Sequence, residues 1–183
     1  MKKYLIFLRG INVGGKNKVS MRELKELLEH NGFQNVFTYI NSGNIIFSSD
    51  NFDTDFLKRQ CEALLLEKFK LELSVMVISV DEFFEAIRNA PAWWGIDKEA
   101  KHNAIFVIPP TTVAEVFEEV GKYKPEYEQV GFFGSVIFWS AALKTFSRTR
   151  WSKVGGSAVY NSITIRNFNT VKKLLELCDA MNK

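Results

Sequence analysis

The stretch "TYINSGNIIFSS" at residues 38–49 and the stretch "YEQVGFFGSVIFWSA" at residues 127–141 decide the fold of this chain. Each reads as two short strands joined by a glycine-containing turn, which is the pattern of a β-hairpin. The two hairpins are similar and lie at the equivalent place in each half of the chain. They therefore indicate an internal repeat.

The first half reads outward from its hairpin as β, α, β, β, α, β. "KYLIFLRG" is strand-like, and Ser20 with Glu23 forms an S-x-x-E pattern that opens a helix ending at Asn31-Gly32. The turn at Asn41-Ser42-Gly43 fits a hairpin because Asn and Gly tolerate positive φ. A second helix is predicted over 53–69, capped by Asp53 or Thr54, and "ELSVMVIS" is the fourth strand.

The second half repeats this order after a short helix, "DEFFEAIRNA". "NAIFVIP" is a strand, "TTVAEVFEEVG" a helix, and the second hairpin follows. The pattern around "LKTFSRTRWSKV" is helical, "SITIR" is a strand, and a last helix is opened by Asn169 or Thr170.

The predicted fold class is α+β, with two ferredoxin-like (βαββαβ) subdomains in a pseudo-repeat. The expected domains are 1–80, with a glycine-rich loop, and 101–183, with the C-terminal helix; residues 81–100 form a linker helix and a Trp-Trp segment. "YLIFL", "AIFVI" and "SVIFW" are apolar on both alternating faces, which is typical of strands buried on both sides. The second sheet face is expected to be covered by the other half of the chain or by a second subunit.

The composition is that of a soluble globular protein, with 183 residues, 46% hydrophobic and 25% charged. The apolar run Tyr4 to Leu8 is too short for a signal peptide or a membrane span. Cys61 and Cys178 lie among leucines in helix-patterned segments and read as buried hydrophobes. We expect a cytoplasmic protein that does not associate with membranes.

Positive charge is concentrated in two segments, residues 1–22 and 129–175. Together they hold 13 of the 24 Lys and Arg residues and none of the 21 Asp and Glu residues. If the segments meet, they form a basic face that attracts phosphate or carboxylate groups. The alternative is that they lie apart and are merely solvated.

The sequence "RGINVGGKNK", residues 9–18, matches the P-loop spacing G-x-x-x-x-G-K until Asn17 stands where Ser or Thr is required. The helix-opening signal comes later, at Ser20, so a true P-loop is not expected. A looser anion site is an alternative, with backbone N–H groups from Gly14 and Gly15 and charge from the loop cations, namely Arg9, Lys16 and Lys18. The other alternative is a turn with solvated lysines.

Other sites give weaker signals. RNA stacking on the sheet is disfavoured because the strands lack spaced, exposed aromatic residues. Trp93 and Trp94 fit a wedge between subdomains better than a stacking platform. His102 has no neighbouring metal ligand in the sequence, and catalytic motifs such as H-E-x-x-H and G-x-S-x-G are absent, so the catalytic residues are unknown and neither metal nor cofactor is predicted.

"TIRNFNT", residues 164–170, places Arg166 and Asn167 at a strand-to-helix junction. Asn167, Asn169 or Thr170 can cap the helix. Capping does not require Arg166, and an arginine aimed at a helix N-terminus is unfavourable unless an anion also lies there. This favours a ligand-binding corner.

The stretch from "FLRGINVGGKNK" to "TYINSGNIIF", together with "TIRNFNT", resembles the uncharacterised bacterial family catalogued as domain of unknown function 1697. Asn41 stands where that family usually has Gln, and Phe168 where it usually has Trp. The resemblance implies an α+β fold of two related subdomains and no reaction. Its motif blocks correspond to Arg9, Gly10, Asn12, Gly14, Gly15 and Lys16, to Ser42, Gly43 and Asn44, and to Arg166, Asn167 and Thr170.

The leading hypothesis is a protein that binds a nucleotide, a phosphorylated metabolite or a nucleic-acid backbone, with a small molecule favoured over nucleic acid. The candidate ligand-binding residues are Arg9, Asn12, Gly14, Gly15, Lys16, Ser42, Asn44, Arg166, Asn167 and Thr170. One alternative is an enzyme that acts on such a substrate by charge stabilisation. Another is a structural or interaction module, and a homo-oligomer stays open.

Overall fold

The computed structural model describes residues 1–181. The chain divides into two compact units, Met1–Phe83 and Phe84–Lys183, and each is described by itself. Each unit contains one four-stranded sheet in which every strand pair is antiparallel. The chain is therefore mixed α+β, as the sequence predicts.

The first unit follows the predicted order of elements. These are β1 (Lys2–Leu8), α1 (Met21–His30), β2 (Gln34–Tyr39), β3 (Asn44–Ser49), α2 (Thr54–Phe69), β4 (Val75–Ser79) and the start of α3 (Val80–Arg88). The strands lie in the order β2-β3-β1-β4. The central strand β1 therefore pairs with both β3 and β4, which places the end of β1 beside the β2–β3 turn.

Side-chain caps fix both helices of the first unit where the sequence predicts them. Ser20 Oγ accepts a hydrogen bond from the Glu23 N–H at 3.3 Å. Asp53 Oδ1 accepts from the N–H groups of Asp55 at 2.9 Å and Phe56 at 3.0 Å. Each cap satisfies N–H groups that have no partner within their helix, so α1 begins at Met21 and α2 at Thr54.

In the first unit β1, β3 and β4 are buried on both faces, as the apolar pattern of β1 predicts, whereas β2 is largely exposed. Tyr4, Ile6 and Leu8 of β1 pack in a core with Leu24 of α1 and Leu57 of α2. The alternate residues Leu5 and Phe7 are fully buried as well. All six residues of β3 and all five of β4 are also buried.

The second unit contains the end of α3 and then repeats the strand order of the first. Its further elements are β5 (Ala100–Val107), α4 (Val113–Val120), β6 (Glu128–Phe133), β7 (Val136–Ala142), β8 (Ile163–Asn167) and α5 (Phe168–Ala180). The strand order is β6-β7-β5-β8. The core lies between the sheet and α4, with Ile105, Val116 and Trp151 at its centre.

The segment "LKTFSRTRWSKV" is helical, as predicted, but its helices are of the 3₁₀ type and do not form one continuous α-helix. Two short 3₁₀ helices stand there, Leu143–Arg148 and Trp151–Gly156, and a third, Ala158–Ser162, follows. The reason is a contact distant in sequence. The buried Glu128 carboxylate accepts from the N–H groups of Arg150 at 2.7 Å and Trp151 at 3.1 Å, and it holds the backbone out of a continuous α-helix.

Two further local predictions are refined. Of the three capping candidates, Asn167 caps the last helix, since its Oδ1 accepts from the Thr170 N–H at 2.8 Å; the helix therefore begins at Phe168, earlier than an opening at Asn169 or Thr170. In the turn of the first hairpin, Gly43 has positive φ, as expected. The other residue with positive φ in this turn is Ile40, at 49°, whereas Asn41 was expected to adopt that conformation. A β-branched residue in that region is strained, and Ile40 adopts this conformation in the tight turn between β2 and β3.

Candidate functional site

The glycine-rich loop is a small hairpin built on the Gly14–Gly15 turn. Val13 and Lys16 form a β-bridge, and the Lys16 N–H donates to the Val13 carbonyl at 3.0 Å. Gly14 and Gly15 both have positive φ, 57° and 76°, which defines a type I′ turn. Both glycines and Lys16 are exposed, so the tip of the loop faces solvent.

Two asparagines support this turn from below. Asn12 and Asn17 have φ of 53° and 47°, in the left-handed region that asparagine tolerates. The Asn12 N–H donates to the Asn17 carbonyl at 3.1 Å, and Asn17 Nδ2 donates to the Gly10 carbonyl at 2.9 Å. The backbone conformation is thus fixed by residues within the loop.

The loop does not have the geometry of a P-loop. In a P-loop the helix begins at the Gly-Lys-Ser/Thr sequence, so that its N-terminus faces the phosphates. Here α1 begins at Met21, after the cap at Ser20. Lys16 closes a hairpin instead of opening a helix.

The second motif block forms the β2–β3 turn next to this loop. The Leu8 N–H donates to the Gly43 carbonyl at 2.8 Å. A Cβ atom on Gly43 would lie 2.6 Å from Leu8 Cβ, so the position admits only glycine. Asn44 is fully buried, and its Nδ2 donates to the Tyr39 carbonyl at 3.0 Å and to Ser42 Oγ at 3.1 Å. Ser42 and Asn44 therefore shape the turn.

Asn12 connects the two motif blocks. Its Nδ2 donates to the carbonyls of Val19 and Asn41, each at 2.9 Å, and its Oδ1 accepts from the Val19 N–H at 2.9 Å. The side chain is thus engaged at both polar atoms. Asn12 positions the loop, and the sequence did not reveal the Asn41 carbonyl as its partner.

An open depression of about 520 Å³ lies beside the loop. Its lining includes Asn12, Gly15, Lys18, Ser20 and Asn41. Lys16 and Lys18 are exposed, whereas Arg9 is half-buried. The glycine-rich loop and the β2–β3 turn therefore line one concave surface in the first unit, to which Lys18 gives positive charge.

The third motif block lies in the second unit. Arg166 is a buried residue of β8, and its Nη1 donates to Thr164 Oγ1 at 2.8 Å and to the Ile165 carbonyl at 2.9 Å. Burial lowers the pKa of its guanidinium to about 10. These bonds hold Nη1 along the strand, so Arg166 has a structural role in β8, and its contact with an anion stays a prediction.

Asn167 and Thr170 act together as the start of α5. Asn167 uses its side-chain oxygen to cap the helix, and the Thr170 backbone N–H is the donor. Asn167 is exposed and lines a second pocket of about 690 Å³, together with Phe168 and Asn169. Sequence reasoning missed Asn169 as a pocket residue, because it was read only as a cap.

The fold and these sites define a mixed α+β protein with two four-stranded antiparallel sheets and glycine-, amide- and cation-rich loops at strand ends. The chain belongs to the family described as protein of unknown function DUF1697, whose model matches residues 1–138. This confirms the resemblance seen in the motif blocks. The third block, at 164–170, lies beyond the matched range.

Solved structures support the fold. The chain is similar to the conserved bacterial protein SP0830 from Streptococcus pneumoniae, with a TM-score of 0.86, 33% identity, and coverage of 96% of this chain and 97% of that one. An unknown protein from Galdieria sulphuraria covers 91% of this chain and 96% of its own length at 10% identity, but its TM-score of 0.27 carries no argument. No curated protein matches the chain.

No helix within residues 1–181 is long and apolar enough to cross a membrane. No three side chains of His, Cys, Asp or Glu there are grouped so that they could hold a metal ion.

Proposed function

We propose that this protein binds a phosphate-bearing anion, such as a nucleotide or a phosphorylated metabolite, at the glycine-rich loop. The observation that carries the proposal is the exposed Gly14–Gly15 turn beside two exposed lysines, Lys16 and Lys18. In a type I′ hairpin the closing bond uses the residues that flank the two central ones, so the central N–H groups are available to a ligand.

The rigidity of the loop supports the same proposal. Asn12 holds the loop against the Asn41 carbonyl, and Asn17 holds it against the Gly10 carbonyl. A binding loop that is already fixed loses little conformational freedom when a ligand arrives. Residues that carry no charge, such as Asn12, Ser42 and Asn44, then contribute by holding the shape of the site.

The charge around the loop supports an anionic ligand. Lys16 and Lys18 are exposed next to the turn, Arg9 precedes it in the same loop, and residues 1–22 contain no acid. Arg22 lies on α1, where it pairs with Glu26 at 3.2 Å. Three neighbouring cations attract a multiply charged phosphate more strongly than a single carboxylate.

The test is isothermal titration calorimetry with inorganic pyrophosphate at 50 and 150 mM NaCl. Wild type is compared with Lys16→Gln and with Lys68→Gln, an exposed lysine of α2 in the same unit. Lys16→Gln should weaken binding by about tenfold, because one charge-assisted contact is lost. Lys68→Gln should leave the affinity unchanged. Equal effects of the two variants, or no saturable binding by wild type, would contradict the proposal.

The same sample separates binding from catalysis. Release of inorganic phosphate from pyrophosphate or ATP would favour an enzyme that works by charge stabilisation. Absence of any anion binding would favour a structural or interaction module. Two observations favour a structural or interaction module: Asn44 is buried and Asn167 caps α5, so both residues stabilise the fold.

We also propose that the two units are ferredoxin-like copies of one βαββαβ repeat. The proposal is supported by the matching strand orders β2-β3-β1-β4 and β6-β7-β5-β8. The second unit differs from the first in one element: 3₁₀ helices lie between β7 and β8, where the first unit has the helix α2 between β3 and β4. A cytoplasmic location is proposed from the sparse use of cysteine, since the chain has two cysteines and Cys61 is a buried thiol outside any disulfide, as suits a reducing compartment.

A further inference from the structure

The second unit contains a pocket that the glycine-rich loop does not explain. Its volume is about 690 Å³, and its walls come from the segment 95–98, the start of β5 and the start of α5. This volume lies in the range of small-molecule sites, about 300–1,000 Å³. All of its lining residues belong to the unit Phe84–Lys183.

One wall of the pocket is held by His102. The Gly95 N–H donates to His102 Nδ1 at 3.1 Å, and Ser140 Oγ also contacts Nδ1, at 2.5 Å. Because Nδ1 accepts the Gly95 N–H, the ring proton lies on Nε2, which donates to the Asp97 carbonyl at 2.8 Å. The imidazole therefore fixes the segment 95–98 at two points.

An adjoining wall is held by aromatic packing, and its Phe168 ring lies edge-on to the His102 ring with centroids 6.2 Å apart. The Trp94 ring meets the Phe168 ring edge-on at 4.9 Å, and Trp94 Nε1 donates to the Asn103 carbonyl at 3.0 Å. Gly95 has φ 86°, and a Cβ atom there would overlap the Phe168 ring. The ring thus lies directly on the Gly95 backbone, and both walls are pre-formed.

The charge of the pocket favours an anion. Lys98 and Lys101 line it against a single acid, Asp97. Lys101 Nζ lies 4.3 Å from the centre of the Phe146 ring, so Lys98 is the cation with freedom to meet a ligand. Within residues 1–181, the side chains of Lys98 and Asn169 form no hydrogen bond or ion pair, and the first turn of α5 contains no acid.

We propose that this pocket binds an organic phosphate of the size of a nucleoside monophosphate. Lys98 and Asn169 contact the phosphate, and the walls formed by Phe168 and His102 contact its planar ring. The cavity, its two pre-formed walls and the unpaired Lys98 carry the argument; the helix start adds to it. The inference goes beyond the proposed function, since it concerns other residues in the other unit.

The test is calorimetric titration of the full chain with adenosine 5′-monophosphate, adenosine and inorganic phosphate. The variants are Lys98→Gln, Asn169→Asp and the control Lys122→Gln, an exposed lysine of the same unit outside the pocket. Asn169→Asp is informative because a carboxylate in the first turn stabilises a helix while it repels an anion. The variant therefore separates lost binding from lost folding.

The expected result is that the monophosphate binds the wild type, and that Lys98→Gln and Asn169→Asp each weaken it by about tenfold. The melting temperature of Asn169→Asp should be unchanged or higher, and Lys122→Gln should bind as wild type does. Lack of monophosphate binding, equal affinity in all variants, or equal affinity for inorganic phosphate would overturn the inference. Lys16→Gln, which tests the first site, should not change this affinity.

Discussion

Asn12 Nδ2 lies 2.9 Å from the Asn41 carbonyl oxygen, and this hydrogen bond ties the glycine-rich loop to the turn of the β2–β3 hairpin. The same nitrogen donates to the Val19 carbonyl, and Asn12 Oδ1 accepts from the Val19 N–H. Two segments that are 29 residues apart in sequence are therefore held in one surface. The loop has its shape because one amide side chain completes three bonds.

Asn12→Asp should destabilise the first unit by about 2 kcal/mol, because a carboxylate oxygen would replace Nδ2 opposite two carbonyl oxygens. The backbone strain should not change, since Asp tolerates positive φ as Asn does. Urea unfolding measures the effect. The control is Asn35→Asp, also at positive φ but with only one long side-chain contact, to Ser48 Oγ at 3.4 Å. Equal losses in the two variants would show that the Asn12 bonds contribute little.

Gly43→Ala should cost at least about 2 kcal/mol, because the new Cβ would lie 2.6 Å from Leu8 Cβ at a φ of 78°. Gly10→Ala is the matched control. Gly10 also has positive φ, 66°, but a Cβ there meets nothing within 4 Å, so only the strain of about 1 kcal/mol remains. Chemical denaturation of both variants separates steric overlap from backbone strain. A larger loss for Gly10→Ala would refute this assignment.

Glu128→Gln should destabilise the second unit by about 3 kcal/mol. The carboxylate accepts from Trp139 Nε1 at 3.0 Å and from the N–H groups of Lys124, Arg150 and Trp151 at 3.1, 2.7 and 3.1 Å. Glutamine would turn an NH₂ group toward two of these donors and leave them without an acceptor. Thermal unfolding is the measurement. Glu126→Gln, on the exposed surface nearby, should change stability by less than about 0.5 kcal/mol.

Cys61 should make the protein less stable at alkaline pH. Burial, with a smaller contribution from the charge of Glu62, raises the pKa of its thiol from 9.0 to about 12. The unfolded thiol ionises above pH 9 while the folded one stays protonated, so this stabilisation is present below pH 9 and is lost as the pH rises toward 12.

The measurement is the free energy of unfolding at pH 8 and pH 10. The decrease between them should be about 1 kcal/mol larger in wild type than in Cys61→Ala, whatever the cavity in the variant costs at both pH values. In the same samples, the Cys61 thiol should react with a thiol reagent only after the protein unfolds. Identical pH dependence in wild type and variant would rule out a raised pKa for Cys61.

Local patterns predicted much of this fold. The caps at Ser20 and Asp53, the apolar strands and the hairpin glycine Gly43 are each decided by neighbours in sequence. These signals do not depend on the tertiary structure, so the amino-acid sequence alone predicts the elements that they define. The family assignment followed from the same loops.

Contacts distant in sequence account for what the sequence did not predict. Glu128 takes two N–H groups, of Arg150 and Trp151, and converts a helical pattern into 3₁₀ turns. The sequence left three candidates for the cap of α5, and strand pairing at the end of β8 selects Asn167. The sequence placed Arg166 at a strand-to-helix junction, but it did not show that strand pairing in β8 buries the residue. Of the candidate residues of the second pocket, Lys98 belongs to no motif, and Asn169 lies in "TIRNFNT" but was interpreted only as a cap.

The most direct test of the central claim is a ¹⁵N–¹H NMR titration of the protein with inorganic pyrophosphate at 150 mM NaCl. The account predicts saturable shifts of the backbone amides of Gly14, Gly15 and Lys16, with loss of these shifts in Lys16→Gln. Shifts that are absent, or that spread over exposed lysines throughout the chain and vanish with salt, would contradict a phosphate site at the glycine-rich loop.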